Sequence, residues 1–129
     1  AEKAQYKWLL FVDVDLWPSH DNFIKNLVEH LKNETDVLFG GISYSKKAPL
    51  PSHQLRWHYG KSREQVAVAK RALKPYSSII LGSFTIKKQL FLKIVDSISL
   101  DGYGLDILFT YKLKQENANQ MAHCISVLY

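Results

Sequence analysis

The sequence predicts an α/β layer fold, and three observations carry the prediction. Trp8-Leu9-Leu10-Phe11-Val12 is an apolar run closed abruptly by Asp13 and Asp15, the pattern of a buried strand that delivers acid to its carboxyl end. From Asn22 to Lys32 the apolar residues Phe23, Ile24, Leu27, Val28 and Leu31 recur at the spacing of one helix face. Asp36 to Tyr44 is a second largely apolar run, with the pair Gly40-Gly41 inside it. Strand, helix and strand in that order build a sheet with helices packed on it.

Each remaining element follows from a local signal. Leu16-Trp17-Pro18 turns the chain after Asp15, and Ser19 or Asp21 is expected to cap the first helix through a side-chain oxygen. The glycine pair permits a bulge or the close approach of another group. Lys46 to Ser52 contains Pro49 and Pro51 and reads as an exposed loop. Leu55-Arg56-Trp57-His58-Tyr59-Gly60 mixes rings with cations; core packing of the rings is favoured over a ligand platform, because aromatics supply burial more often than recognition. Ser62 to Leu73 is expected to be a helix ended by Lys74-Pro75, and Ser77 to Leu81 a third strand. Gly82-Ser83-Phe84-Thr85-Ile86 then leads into a short amphipathic helix over Lys87 to Ile94, with Leu90, Phe91 and Ile94 on its apolar face. Asp101-Gly102-Tyr103-Gly104 is a turn that can approach a ligand closely. It opens a helix with Asp106 near its start and Leu105, Leu108, Phe109 and Leu113 on its apolar face. Met121 to Tyr129, containing His123, reads as the last strand.

At 129 residues and 47% hydrophobic, the chain is expected to form one domain, residues 1–129. No apolar run approaches the roughly 20 residues that span a bilayer, and the start lacks signal-peptide features, so a soluble cytoplasmic location is expected. Cys124 is the only cysteine, which excludes an intrachain disulfide and a cysteine-rich metal site. The net charge of +5 suggests an anionic partner, with nucleic acid, phospholipid and nucleotide diphosphate all of the right sign. Part of the excess gathers in Arg56, Lys61, Arg63, Lys70, Arg71 and Lys74, read mainly as a solvated basic helix face. No nucleic-acid-binding signature accompanies it, so nucleic acid is not expected as a partner; peripheral association with the inner face of a membrane stays open.

Two groups carry candidate chemistry. In an extended chain alternate residues point the same way, so Asp13 and Asp15 could share a divalent cation through hard oxygen ligands; the plain alternative is a polar strand end before a turn. Asp106 is either an acid placed in a first helical turn to suit the macrodipole or a general base at a site.

The order of these features resembles bacterial nucleotide-sugar-dependent glycosyltransferases of the inverting family-two group, which have the GT-A fold. The residues that carry the resemblance are Leu9 to Asp15, Arg56 to Glu64, Phe84 to Lys88 with Phe91, and Gly102-Tyr103-Gly104 followed by Asp106, Leu108, Phe109 and Tyr111. It implies a three-layer α/β/α, Rossmann-like mixed sheet, truncated at its N-terminus, and the C-terminal, acceptor-side part of a catalytic domain. It implies a sugar passed from a nucleotide-diphosphate donor to a glycan acceptor, with Mn²⁺ or Mg²⁺ held by Asp13 and Asp15. Asp106 would then be the catalytic base, Arg56 would lie at the donor, and Trp57, Tyr59, Gly102, Tyr103 and Gly104 would line the substrates. His123 matches the approximate place of a family histidine, which makes it a further candidate metal ligand. The family's Glu-Asp-Thr run stands here as Leu105-Asp106-Ile107, so one member of the acidic pair is absent.

Two other readings compete. A degenerate sugar- or anion-binding module would keep the fold without catalysis. A haloacid-dehalogenase-type phosphatase would use Asp13 as nucleophile and Asp15 as acid/base. Such enzymes follow the second aspartate with glycine- or threonine-like residues that let the backbone wrap a phosphate, whereas Leu16-Trp17-Pro18 follows here.

Overall fold

A computed structural model of the chain describes residues 1–31, 34–77, 81–99, 102–118 and 120–128, with the backbone alone for Ser77 and residues 120–128. Five strands, β1 (Trp8–Val12), β2 (Trp17–Pro18), β3 (Val37–Ser43), β4 (Ser83–Lys87) and β5 (Gln120–Leu128), form one sheet in the order β1-β4-β3-β5-β2. The β1–β4, β4–β3 and β5–β2 pairs are antiparallel and β3–β5 is parallel, so β1, β3 and β5 all run the same way. The helices are α1 (Phe23–His30), α2 (Gln54–Tyr59), α3 (Val68–Leu73), α4 (Lys88–Asp96) and α5 (Leu105–Gln115).

Strand alternation sorts the side chains onto two faces. Leu9, Val37, Phe39, Phe84 and Ile86 form one core with Ile94 of α4 and Phe109 and Leu113 of α5. Phe84 is the hub of its aromatic part: its ring lies 4.8 Å from Phe11, 6.1 Å from Phe39 and 5.6 Å from Phe109. On the opposite face Leu38 packs with Leu16, Phe23 and Leu27. Removing a Leu, Ile or Phe side chain from water at such positions stabilises by about 1.5–3 kcal/mol each. Helices on both faces of a mixed sheet make the three-layer α/β/α arrangement that the sequence predicts.

Local chemistry fixes the ends of the helices. The Lys88 amide donates to the Lys7 carbonyl at 2.8 Å and its Nζ to the Glu2 and Ala4 carbonyls at 3.0 and 2.7 Å, which starts α4 and ties down the chain before β1. Helix α5 stops where Asn117 takes a positive φ of 49° and the Ala118 amide returns to the Leu113 carbonyl at 3.2 Å, a Schellman-type closure in which Asn replaces the usual glycine.

Several expectations are corrected. Strand β1 is an edge strand with only Leu9 buried, not a strand covered on both sides. Asn22, rather than Ser19 or Asp21, is the N-cap of α1 and makes no side-chain cap hydrogen bond, while the Phe23 amide goes to the His20 carbonyl at 3.1 Å. The expected strand over Ser77 to Leu81 gives way at its start to a 3-10 turn, Pro75–Ser77, and at its end to a turn at Leu81-Gly82; residues 78–80 lie outside the described residues. The strand is Ser83–Lys87, one step on, because Phe84 and Ile86 are the residues that alternate onto the core face. The expected helix over Ser62 to Leu73 is split into a π-helical turn, Gly60–Glu64, and α3, with Gln65 at the break accepting the Tyr44 amide on its Oε1 at 3.2 Å. The rings of α2 do not enter the core: no residue of α2 is buried, and Leu55 and Tyr59 are 85% and 57% exposed. Arg71 is not on a solvated face but 5% exposed, with its guanidinium against Gly41, where a Cβ would stand 2.8 Å from Nη2. The close approach expected at the glycine pair is therefore made by this arginine, and the register of β3 against β5 shifts at the same place.

Candidate functional site at the carboxyl end of the sheet

The shared direction of β1, β3 and β5 gives the sheet one carboxyl end. Strand β1 ends at Val12, and the Asp13 amide donates to the Gly82 carbonyl at 2.8 Å, which carries the ladder one residue further. The Asp13 carbonyl then accepts the Leu16 amide at 3.1 Å, closing a turn over Asp13 to Leu16. Buried Leu16 pins this turn into the α1 core. Extended-chain alternation therefore stops at Asp13, and the turn, not the strand, presents Asp15; both residues are exposed. The Asp13 carboxylate leans over Gly82, where a Cβ would meet its Oδ2 at 3.1 Å. Glycine at this position keeps the acid's place open.

Beyond β3, Tyr44 begins a second group at the same end. Its hydroxyl donates to Glu64 Oε2, and Arg56 grips the same carboxylate with two N–H donors at 3.0 and 3.1 Å. The Arg56 guanidinium also sits 5.6 Å above the Tyr44 ring, and Gly60 leaves the space in which that ring packs. Burial, and then the hydrogen bond to the Glu64 carboxylate, push the Tyr44 phenol well above the usual tyrosine range. Trp57 Nε1 donates to the Ser45 carbonyl at 2.9 Å, and Lys61 Nζ lies 4.3 Å over the Trp57 ring. Tyr44, Ser45, Pro49, His53, Arg56 and Trp57 enclose a pocket of about 170 Å³. The bidentate pairing with Glu64 fixes the Arg56 guanidinium in place and offsets its charge.

The third group precedes α5. Gly102 and Gly104 take φ values of 130° and 96°, conformations that side chains resist, and Tyr103 between them is fully exposed. Asp106 is exposed in the first turn of α5, where its charge suits the helix dipole. Phe109, three residues on, touches Phe84, one row below the Asp13–Gly82 contact, so Asp106 lies toward the same end of the sheet.

The fold thus gathers Asp13, Asp15, the Arg56–Trp57 pocket and the Gly102–Asp106 turn at one end. His123 stands in β5, and its side chain lies outside the described residues. Sequence reasoning missed Tyr44, Glu64 and His53. The Arg56–Glu64 pair spans eight residues, outside the three- and four-residue steps by which helix pairs are recognised, because a π-helical turn intervenes.

A mixed α/β sheet that collects acids, rings and glycine turns at its strands' carboxyl end is the architecture of a domain that binds ligands there. The family model described as Glycosyl transferase family 2 matches residues 1–98, and the chain belongs to this family. The match lies on the N-terminal part of the chain and gives no support to an assignment as the C-terminal part of a catalytic domain; Gly102 to Asp106 and His123 fall beyond it. Membership makes this a glycosyltransferase-type domain and implies a nucleotide-sugar donor and an acceptor as substrates. No curated protein matches the chain. Among the described residues no helix is long and apolar enough to cross a membrane.

Proposed function

We propose that the chain transfers a sugar from a nucleotide-diphosphate donor to a glycan acceptor hydroxyl, with Asp13 and Asp15 at the donor and Asp106 at the acceptor. The observation that carries this reading is the Asp13–Leu16 turn, inside the family match, which presents two carboxylates beside a glycine at the carboxyl end of the sheet.

Among the described residues no group of three His, Cys, Asp or Glu side chains could hold a metal ion by itself. Two carboxylates are nevertheless a fitting donor set for Mg²⁺ or Mn²⁺ at such a site, because these ions take one or two carboxylates and complete their shell with substrate phosphates and water. Asp13 and Asp15 would hold the ion, which when bound supplies Lewis-acid neutralisation of the departing diphosphate. Asp106 accepts the proton of the acceptor hydroxyl as that oxygen bonds to the anomeric carbon. The bond from that carbon to the diphosphate breaks on the opposite face, and the configuration inverts. Trp57, Tyr59 and the Gly102-Tyr103-Gly104 turn border the sugars, and Arg56, held by Glu64, lies at the donor. His123 in β5 stays a further candidate ligand. A cytoplasmic location, where sugar nucleotides are the substrates, suits the reading.

Calorimetric titration of the chain with UDP, GDP and CDP in Mn²⁺ tests it. Binding to at least one of them is expected, lost on removal of Mn²⁺ and weakened at least tenfold in Asp13→Asn. Absence of binding by all three in the presence of Mn²⁺ overturns the proposal.

A further inference from the structure

Residues 44–64 carry most of the net charge of the chain. They hold Lys46, Lys47, Arg56, Lys61 and Arg63 against Glu64 alone, a net of +4 where all 129 residues together carry +5. The one acid in the segment is not open to repel an anion, because the Tyr44 hydroxyl and both terminal nitrogens of Arg56 donate to its carboxylate. Among the described residues Lys46, Lys47, Lys61 and Arg63 have no acidic partner. These cations stand around the pocket of about 170 Å³ between Tyr44 and Trp57. Lys46 and Lys47 lie between two of its wall residues, Ser45 and Pro49, and Lys61 Nζ lies 4.3 Å over the ring of a third, Trp57. A cleft edged by one sign of charge concentrates the field inside it.

The volume is well below the roughly 300 Å³ at which pockets begin to enclose drug-sized ligands, so it takes a single ring and not a nucleotide. Its walls are amphipathic. Trp57 and Pro49 offer apolar ring surface, and the indole is fixed beforehand by its N–H to the Ser45 carbonyl, which limits the ordering that binding must impose. His53 brings an imidazole that makes no hydrogen bond among the described residues and can meet a hydroxyl with either ring nitrogen. We propose that this pocket binds one pyranose ring bearing a carboxylate, a uronic-acid unit of the sugar substrates. The C–H face of such a ring suits the indole and the proline, its hydroxyls suit His53, and its carboxylate suits the lysines at the rim. A neutral hexose would leave those lysines without a counter-charge, and a bare inorganic anion would leave the rings uncovered. That the ring belongs to a substrate rests on the transferase reading; the match of ring, hydroxyl and charge rests on the pocket itself.

Titration of the nitrogen-15-labelled chain with D-glucuronate, D-glucose and acetate, each without nucleotide or metal, reads the outcome at the Trp57 indole N–H, whose resonance is identified by its loss in Trp57→Phe. Glucuronate is expected to shift that resonance and to bind at least tenfold more tightly than glucose or acetate. Lys47→Gln combined with Lys61→Gln should weaken glucuronate about fivefold, the effect of two exposed charge pairs, and leave glucose unchanged. His53→Ala should weaken both sugars, with circular dichroism as the control for folding. In Mn²⁺, UDP-glucuronate should displace free glucuronate if the ring belongs to the donor and bind beside it if the ring belongs to the acceptor. Equal affinity for glucose and glucuronate overturns the proposal, as does glucuronate binding that survives both the lysine and the His53 replacements. So does a chain that ignores glucuronate and sediments with phosphatidylserine vesicles, the mark of a basic surface that faces a membrane. Because nucleotide is left out of the first titrations, glucuronate binding by a chain that binds no nucleotide supports the pocket and sinks the transferase reading. Nucleotide binding without glucuronate binding sinks the pocket alone.

Discussion

Replacing Tyr44 with Phe removes one oxygen from the Tyr44–Glu64–Arg56 group at the carboxyl end and keeps the ring that packs against Gly60. The lost interaction is a hydrogen bond to a carboxylate, a class worth about 1.5–3 kcal/mol. Glu64 keeps both Arg56 donors and is partly open to water, so its charge is not stranded and the low end, about 1.5 kcal/mol, is expected at neutral pH. The pH dependence supplies the sharper test. The folded phenol ionises above the unfolded value of about 10, because burial and the neighbouring carboxylate oppose a second negative charge. The hydroxyl's stabilisation is then fully present below about pH 10 and is lost as the pH climbs through the folded value, since the unfolded chain releases the proton first. Urea unfolding of both proteins from pH 7 to pH 11 should show the wild type ahead by a constant margin up to about pH 10 and by a shrinking one above it. A margin that is absent at pH 7, or that grows with alkali, refutes this account of the Tyr44–Glu64–Arg56 group.

Three further outcomes follow from the packing. Gly60→Ala drives a methyl group into the Tyr44 ring, which Glu64 and Arg56 hold in place, and should lower stability by about 1–3 kcal/mol in urea titration even though the backbone there is ordinary for alanine. Thr85 is buried with no partner for its Oγ1 among the described residues, so Thr85→Val should leave stability unchanged or raise it by about 1 kcal/mol; a fall in thermal midpoint would show that the hydroxyl is satisfied. Leu113→Ala, at a fully buried position in the last turn of α5, should cost about 2–5 kcal/mol by the same assay.

The layers were legible because period speaks plainly where one face is buried. Phe23 and Leu27 mark the inner side of α1, Phe109 and Leu113 that of α5, and Val37 to Phe39 the centre of the sheet. The edges were not, because a run such as Trp8 to Val12 has the same composition whether or not a neighbour covers it, and β2 at two residues is too short to show a period. The candidate site was legible as separate carboxylates and glycines. Its geometry was not: the turn at Asp13 to Leu16 depends on Gly82 far along the chain, and the hold on Arg56 depends on a π-helical turn that no residue pattern announces. Arg71 was misread because only the missing Cβ of Gly41, thirty residues earlier, makes room for it.

The turn from Asp13 to Leu16 also acts as a ruler. Strands β1 and β2 are the two outermost strands, yet only four residues of chain run between Val12 and Trp17. Four inter-strand spacings of a flat sheet amount to about 19 Å, whereas five steps of fully stretched chain reach about 17–18 Å, and this chain is not fully stretched. The sheet must therefore curl until its margins approach. That short tether draws the β1 and β2 margins together on the side of the two acids.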